Sequence, residues 1–237
     1  MTFQVRRVHR QHGTSLIEIL IAMVIGLFIL GAVAVVFVNM QKTFTSQDQL
    51  AQLQDNQRLA QTILTNTVQS AGYFPDPKVN TQLTALTGAS GVVAPGQVIS
   101  GTSGAGTSSD TLTTQFATAS GDGVMNCLGQ SNTGGSQLVY VNTLSVNANN
   151  ELQCAVNGQA PVSLVSGVSS LTVLYGTDTD NDGNNDSYLT ATQVAAAGKW
   201  SAVHAVKVTL NFTTQFGNVP GTRSVPWVQT ISLKNQP

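Results

Sequence analysis

The hydropathy pattern has one uninterrupted apolar segment, which lies close to the N-terminus. Residues 16–38 read LIEILIAMVIGLFILGAVAVVFV and contain a single charged side chain, Glu18. A helix of this length spans about 35 Å at about 1.5 Å per residue, which is enough to cross the hydrocarbon core of a bilayer. The pattern therefore predicts a membrane-spanning helix.

After this segment the pattern becomes amphipathic. Apolar side chains recur at steps of three, four or seven residues, at Leu50, Leu53, Ala60, Leu64 and Ala71. This spacing places them on one face of a helix. The chain has no proline before Pro75, and Gly72 is suited to cap a helix C-terminus. The sequence thus predicts one helix from about Thr14 to Ala71, with two helices broken near Asn39 as the alternative.

The remaining chain alternates short apolar or period-two runs with segments rich in Gly, Ser and Thr. Such runs predict strands, here over 110–117, 137–146, 152–156, 162–165, 171–175, 202–212 and 225–233. The NANN segment before 152 predicts a hairpin, and Pro226 indicates that the last strand lies at a sheet edge or starts late. One long helix followed by strands indicates an α+β fold, with the helix packed on an antiparallel β-sheet domain.

Composition and charge narrow the function classes. Of 237 residues only 9 % are charged, with ten Lys and Arg against eleven Asp and Glu. A protein that binds nucleic acid through its phosphates needs a basic stripe, so we expect no nucleic-acid partner. The G-x-S-x-G, P-loop and H-E-x-x-H patterns are absent from the sequence. Apart from two histidines before residue 13 the chain contains only His204, and we expect no enzyme.

The basic N-terminus predicts the orientation of the membrane helix. Residues 1–13 carry Arg6, Arg7 and Arg10 and no acidic residue, so this segment should stay cytoplasmic and the chain after residue 40 should lie outside. A secretory signal is one alternative, but its apolar stretch is shorter and precedes its cleavage site. A plain signal anchor is another, but it leaves Glu18 unexplained, since a carboxylate there costs about 2.5–3.5 kcal/mol.

The two cysteines, Cys127 and Cys154, leave two interpretations. With His204 they are too few for a four-ligand zinc site. They form a disulfide if the compartment is oxidising, or they are two buried free thiols. The extracytoplasmic orientation predicted above favours the disulfide.

An acidic segment has the spacing of calcium ligands. Residues 178–186 read DTDNDGNND, which matches positions 1, 3, 5, 7 and 9 of an EF-hand loop, with Gly183 at the turn position. Position 12 is Leu189 instead of a bidentate glutamate, and flanking helices are missing. The sequence predicts a structural Ca²⁺ site, with a solvated polar turn as the alternative. The candidate ligands are Asp178, Asp180, Asp182, Asn184 and Asp186.

The start of the chain resembles the type IV prepilin signal. A basic leader, then Gly13, Thr14, Ser15, Leu16, Ile17 and Glu18, then an apolar run carry this resemblance. It implies that a prepilin peptidase cleaves between Gly13 and Thr14 and methylates the new N-terminus. Glu18 would then pair with the N-terminal amine of a neighbouring subunit during filament assembly.

Three further segments resemble the PilW family of minor pilins: AGYF after the helix, YGTDTDNDGNND, and the C-terminal SLKNQP. This resemblance implies a low-copy subunit that primes type IV pilus assembly at or near the tip. Its partners would be other minor pilins, the major pilin, the inner-membrane assembly machinery and a tip adhesin. It implies residence in the inner membrane before assembly and in the surface pilus afterwards.

These expectations divide the chain into four parts. They are a removed leader (1–13), a transmembrane or filament-core helix (14–40), its amphipathic continuation (41–72) and a β-rich extracytoplasmic domain (73–237). Two other functions stay open. The first is a J-type pseudopilin of a type II secretion system, and the second is an uncleaved, signal-anchored periplasmic binding domain.

Overall fold

A computed structural model describes residues 13, 15–89, 92–106, 108–214 and 223–236. Residues 1–12 of the predicted leader, Thr14 of the predicted cleavage site and the final Pro237 lie outside the described residues. The chain divides into two compact units, Met1–Asp48 and Gln49–Pro237.

The first unit is formed by the start of helix α1, which extends over Leu16–Ser70 without a break at Asn39. Apolar side chains between Leu16 and Phe44 are exposed. The most apolar window of the helix has a mean hydropathy of 3.1, and none of it is buried. By length and composition the helix could cross a membrane.

In the second unit the same helix buries one face in the protein core. The buried positions are Leu53, Ala60, Leu64, Thr67 and Val68, followed directly by Ala71. Leu50, which was predicted on this face, remains 43 % exposed. The amphipathic pattern is therefore confirmed from Leu53 onward.

Among the described residues, nine strands form two antiparallel sheets where the sequence predicted one. The first sheet has the order β1-β2-β3-β4-β5. Its strands are β1 (Ile99–Thr102), β2 (Thr111–Thr118), β3 (Leu138–Val146), β4 (Glu151–Val156) and β5 (Val162–Ser166). The second has the order β7-β6-β8-β9, with β6 (Val168–Thr177), β7 (Ser187–Leu189), β8 (Val203–Thr214) and β9 (Arg223–Ser232). The short helix α2 (Gln82–Ala85) lies between α1 and β1, and α3 (Ala191–Ala197) lies between β7 and β8.

The seven predicted strands are confirmed within a few residues, and β9 with Pro226 is an edge strand. The alternation of inward and outward side chains in β8 changes phase at a register shift. At this point Gly176 pairs with Ala205 while Thr177 pairs with Val203. His204 is the extra residue of this irregularity. The β8 side chains that pack in the core are therefore those of Val203, Val206, Val208, Leu210 and Phe212, which are all buried.

A buried tyrosine and an aspartate connect the two sheets. The Tyr175 hydroxyl on β6 donates to the carbonyl oxygen of Ser100 at 3.3 Å, and the backbone N–H of Val173 donates to Asp110 Oδ2 at 2.8 Å. Burial, and secondly the nearby Asp110, raise the pKa of Tyr175 well above its usual range. Gly101 is required beneath this ring, since a Cβ there would lie 2.0 Å from the hydroxyl oxygen.

Candidate functional site

The predicted processing and assembly residues lie at the start of α1. Gly13 and Glu18 are exposed, and Glu18 lies in the first helical turn. Its backbone N–H donates to the carbonyl oxygen of Ser15 at 3.0 Å. An acid in the first turn favours the helix because it opposes the positive end of the helix dipole. The Glu18 carboxylate is thus accessible to a cation from outside the chain.

Cys127 and Cys154 form a disulfide, with 6.4 Å between their Cα atoms. Cys154 is fully buried in β4, and Cys127 lies in the long loop between β2 and β3. The bond holds this loop against the first sheet. Of the two interpretations from sequence, the disulfide is confirmed.

The same loop is held at a second point by Asp122. Its carboxylate accepts from the Thr118 hydroxyl at 2.6 Å and from the backbone N–H of Ala119 at 2.8 Å and of Val124 at 3.0 Å. Desolvation, the largest single influence, raises the pKa of Asp122, but the hydrogen bonds together outweigh it and lower the pKa. Tyr73 after α1 also contributes to lowering the pKa of Asp122, so the loop lies near the end of the helix.

The acidic segment 178–186 connects β6 to β7 as a hairpin loop. The N–H of Asp186 donates to the carbonyl oxygen of Thr177 at 2.8 Å. Asp178 is only 1 % exposed. Its two carboxylate oxygens accept from the N–H of Asn181 at 2.8 Å and of Gly183 at 2.9 Å. Asp178 therefore fixes the backbone of the loop through these two hydrogen bonds.

Three of the five predicted ligands are brought together. Carboxylate oxygens of Asp178, Asp180 and Asp186 lie within 4.8 Å of one another, so the group could hold a metal ion. Asp182 is outside this group of carboxylates. The Asp182 carboxylate instead accepts from the backbone N–H of Asn184 at 2.7 Å and from its Nδ2 at 3.2 Å.

The charges in this loop are unevenly compensated. For Asp180 the largest influence, the N–H of Asp182, lowers the pKa, but repulsion from Asp182, Asp186 and Asp178 together with desolvation raises it overall. For Asp186 the hydroxyl and N–H of Thr179 lower the pKa, and Lys199 contributes in the same direction. The repulsion felt by Asp180 is the kind that a bound cation relieves.

The C-terminal segment closes the end of α1. The Asn235 Nδ2 donates to the carbonyl oxygens of Gln69 and Ala71, both at 3.1 Å. The last helical carbonyls have no partner within the helix, so Asn235 serves as a cap from the far end of the chain. From sequence, the SLKNQP segment showed only a family resemblance, because a contact between residues so far apart in the chain leaves no local pattern.

Comparisons with known proteins match two parts of the chain. The sequence model of the prokaryotic N-terminal methylation motif matches residues 8–34. The model described as Type IV Pilus-assembly protein W, PilW, matches residues 130–222. Together they cover about half of the chain. The comparison with curated protein sequences gives no significant match.

Among solved structures, the chain is similar to a type IV-like pilin from Thermus thermophilus. The sequence identity is 14 % and the TM-score is 0.45, with 78 % of this chain and 96 % of the pilin covered.

The methylation motif, the exposed apolar helix and the antiparallel sheets that follow it define the class of type IV pilin-like proteins. These are structural subunits, and the motif implies processing by a peptidase and assembly with other pilins. The PilW match over residues 130–222, together with the methylation motif over 8–34, supports a type IV pilus minor pilin of the PilW family.

Proposed function

We propose that this minor pilin primes type IV pilus assembly and sits at or near the pilus tip. The observation that carries the proposal is the combination of a methylation motif over 8–34 with a PilW region over 130–222 in one chain. The motif belongs to subunits that enter a filament. The PilW region distinguishes the chain from a major pilin, which makes up most of the filament.

The N-terminal segment supplies the mechanism. A prepilin peptidase cleaves between Gly13 and Thr14 and methylates the new amine. Residues 14–40 then hold the subunit in the inner membrane, where exposed apolar side chains contact lipid. Extraction exchanges these lipid contacts for helix–helix contacts, and Glu18 pairs with the amine of a neighbouring subunit. That pairing offsets the cost of a carboxylate in an apolar setting.

The rest of the chain supplies lateral contacts and the outer surface. Residues 41–72 continue the helix, and residues 73–237 form the extracytoplasmic domain. Its neighbours are other minor pilins, then the major pilin, with the inner-membrane machinery beneath and an adhesin at the tip. The disulfide supports an oxidising location for this domain.

Deleting the protein from its own cells tests this role. We expect few surface pili in the deletion strain, normal protein secretion, and gold-labelled protein at one end of the filaments in the complemented strain. Normal pili with blocked type II secretion would instead identify a J-type pseudopilin. Label along the whole shaft would contradict the tip position.

We further propose that the group of Asp178, Asp180 and Asp186 binds Ca²⁺ in a structural role. Carboxylate oxygens are the ligands that Ca²⁺ prefers, and a flexible loop suits its variable geometry better than that of Mg²⁺. Repulsion among the carboxylates around Asp180 supports the proposal. The ion would order the hairpin between β6 and β7.

Asp180→Asn tests this site against the matched control Asp182→Asn. Both side chains are exposed in the same loop, but only Asp180 belongs to the group. With Ca²⁺ at about 100 times its Kd, the wild type and Asp182→Asn should melt about 5–10 °C higher than without it. Asp180→Asn should lose this shift while keeping its calcium-free Tm, because the change removes repulsion.

The pH dependence of this calcium effect has a defined sign. As the pH falls through the raised pKa of Asp180, its carboxyl takes up a proton and stops being a ligand. The calcium-induced shift in Tm should therefore shrink with falling pH. An equal shift in wild type and Asp180→Asn at neutral pH would refute the site.

A further inference from the structure

Three adjoining depressions surround the C-terminal segment and share lining residues. The first, of about 580 Å³, is lined by Leu83, Pro95 and Trp200 among others. It shares Gln82 and Gln236 with the second, of about 540 Å³. The second shares Tyr73 and Asn235 with the third, of about 440 Å³. We call this surface the C-terminal groove.

Aromatic rings in fixed positions line the groove. Tyr73, Phe74 and Trp200 are each half-buried. Trp200 is held by an edge-on contact with the buried Tyr175, with ring centroids 4.9 Å apart. Tyr73 lies beside the Asp122 carboxylate, which together with desolvation raises the pKa of Tyr73. Rings that are already ordered present contact area without a further loss of conformational entropy on binding.

The polar groups of the groove are mainly amides. Asn66, Gln69, Gln82, Gln97 and Gln236 contribute to its lining. Each amide can both donate and accept hydrogen bonds. Gln236 directs its Nε2 to the carbonyl oxygen of Ser201, which leaves its Oε1 buried and without a donor among the described residues. This oxygen is buried and out of reach of a ligand, so the amides available to ligand hydroxyls are those of Asn66, Gln69 and Gln82.

Charge is nearly absent from the lining. The first depression contains no charged side chain among its described residues, the second contains only Asp76, and the third only Lys234. A charged ligand would lose hydration there without gaining an opposite charge. The groove is therefore suited to an uncharged ligand with apolar faces and hydroxyl edges.

We propose that the C-terminal groove binds a neutral, β-linked oligosaccharide. The apolar faces of pyranose rings would cover Trp200, Phe74 and Tyr73, and their hydroxyls would bond to the amides. Three connected depressions match an extended chain of several sugar rings better than a single sugar. This activity goes beyond assembly, since it gives the exposed domain a ligand of its own.

The test uses the full-length protein in a phosphocholine detergent, because detergents with sugar head groups would compete. Cellohexaose and N-acetylchitohexaose are titrated by calorimetry, and Trp fluorescence is followed in a Trp227→Phe background that leaves Trp200 as the reporter. We expect saturable binding of at least one of these sugars. We also expect a change in Trp200 emission with the same midpoint.

Two matched variants locate the binding. Leu83 is 65 % exposed in the groove, and Val79 is 85 % exposed in the same segment but outside the lining. Leu83→Glu should raise the Kd at least about tenfold, whereas Val79→Glu should change it less than about twofold. Gln82→Ala is the second groove variant if Leu83→Glu has a lowered Tm.

Three outcomes would overturn the proposal. They are no saturable binding of either sugar by the folded protein, equal effects of the groove and control variants, and capture of a pilin subunit that the groove variants block while sugars do not compete. The last outcome would assign the groove to a protein partner.

Discussion

Glu18→Ala should leave cleavage after Gly13 largely intact but reduce incorporation into filaments at least about tenfold. The carboxylate is exposed in the first turn of α1. In the filament it would face the amine of a neighbouring subunit. Losing one partner of a buried charge pair costs about 3–5 kcal/mol, which is more than a tenfold loss requires.

Two variants at the same position separate charge from size. Glu18→Asp keeps the charge and should retain more incorporation than Glu18→Gln, which keeps the size. Immunoblots of sheared filaments and membrane fractions give the ratio, and the intact mass gives the extent of cleavage. Normal incorporation of Glu18→Ala would remove the pairing from the mechanism.

Loss of the disulfide has the second large expected effect. Replacing both Cys127 and Cys154 with Ala opens a loop whose ends are 27 residues apart. In the chain-entropy model this lowers the free energy of unfolding by about 3.5 kcal/mol, or about 10 °C in Tm for a domain of this size. Thermal melts of the full-length protein in detergent measure the change.

Reduction of the wild type is the control for this prediction. A reductant should lower the Tm of the wild type by a similar amount and leave the double variant unchanged. If the reductant lowered the Tm of the wild type and of the double variant equally, the loss of stability would not come from breaking the disulfide. If neither treatment changed the Tm, the disulfide would not stabilise the fold.

The long helix and most strands could be predicted because their patterns are local. The apolar run and the Leu53 to Ala71 spacing define α1, and period-two runs define the strands of both sheets. Strand β1 was missed because Ile99–Thr102 lies in a stretch rich in Gly and Ser. It becomes a strand through pairing with β2 and through the close approach of Gly101 to Tyr175.

Helix α3 was missed although its signals are present in the sequence. Thr190 and Gln193 form a capping box, and Gly198 ends the helix in the left-handed conformation. Its few residues give no clear period, so the caps were the only usable signal. The separation into two sheets was also missed, because strand partners are set by contacts distant in sequence.

For the candidate sites, spacing found the acidic loop and the cysteine pair but gave no information on burial. The sequence predicted Asp178 as one of five equivalent ligands. In the structure it is buried, and its carboxylate accepts hydrogen bonds from the N–H groups of Asn181 and Gly183 in the loop. The cap by Asn235 and the C-terminal groove depend on the chain end meeting the end of α1. Neither feature has a local sequence pattern.

The most direct test of the pilin mechanism is the intact mass of the protein from cells with and without prepilin peptidase. We predict a chain that starts at a methylated Thr14 in cells with the peptidase, and a chain that keeps its leader in cells without it. A start at Met1 in both strains would contradict the account, because the protein would then be a signal-anchored periplasmic protein that never enters a filament.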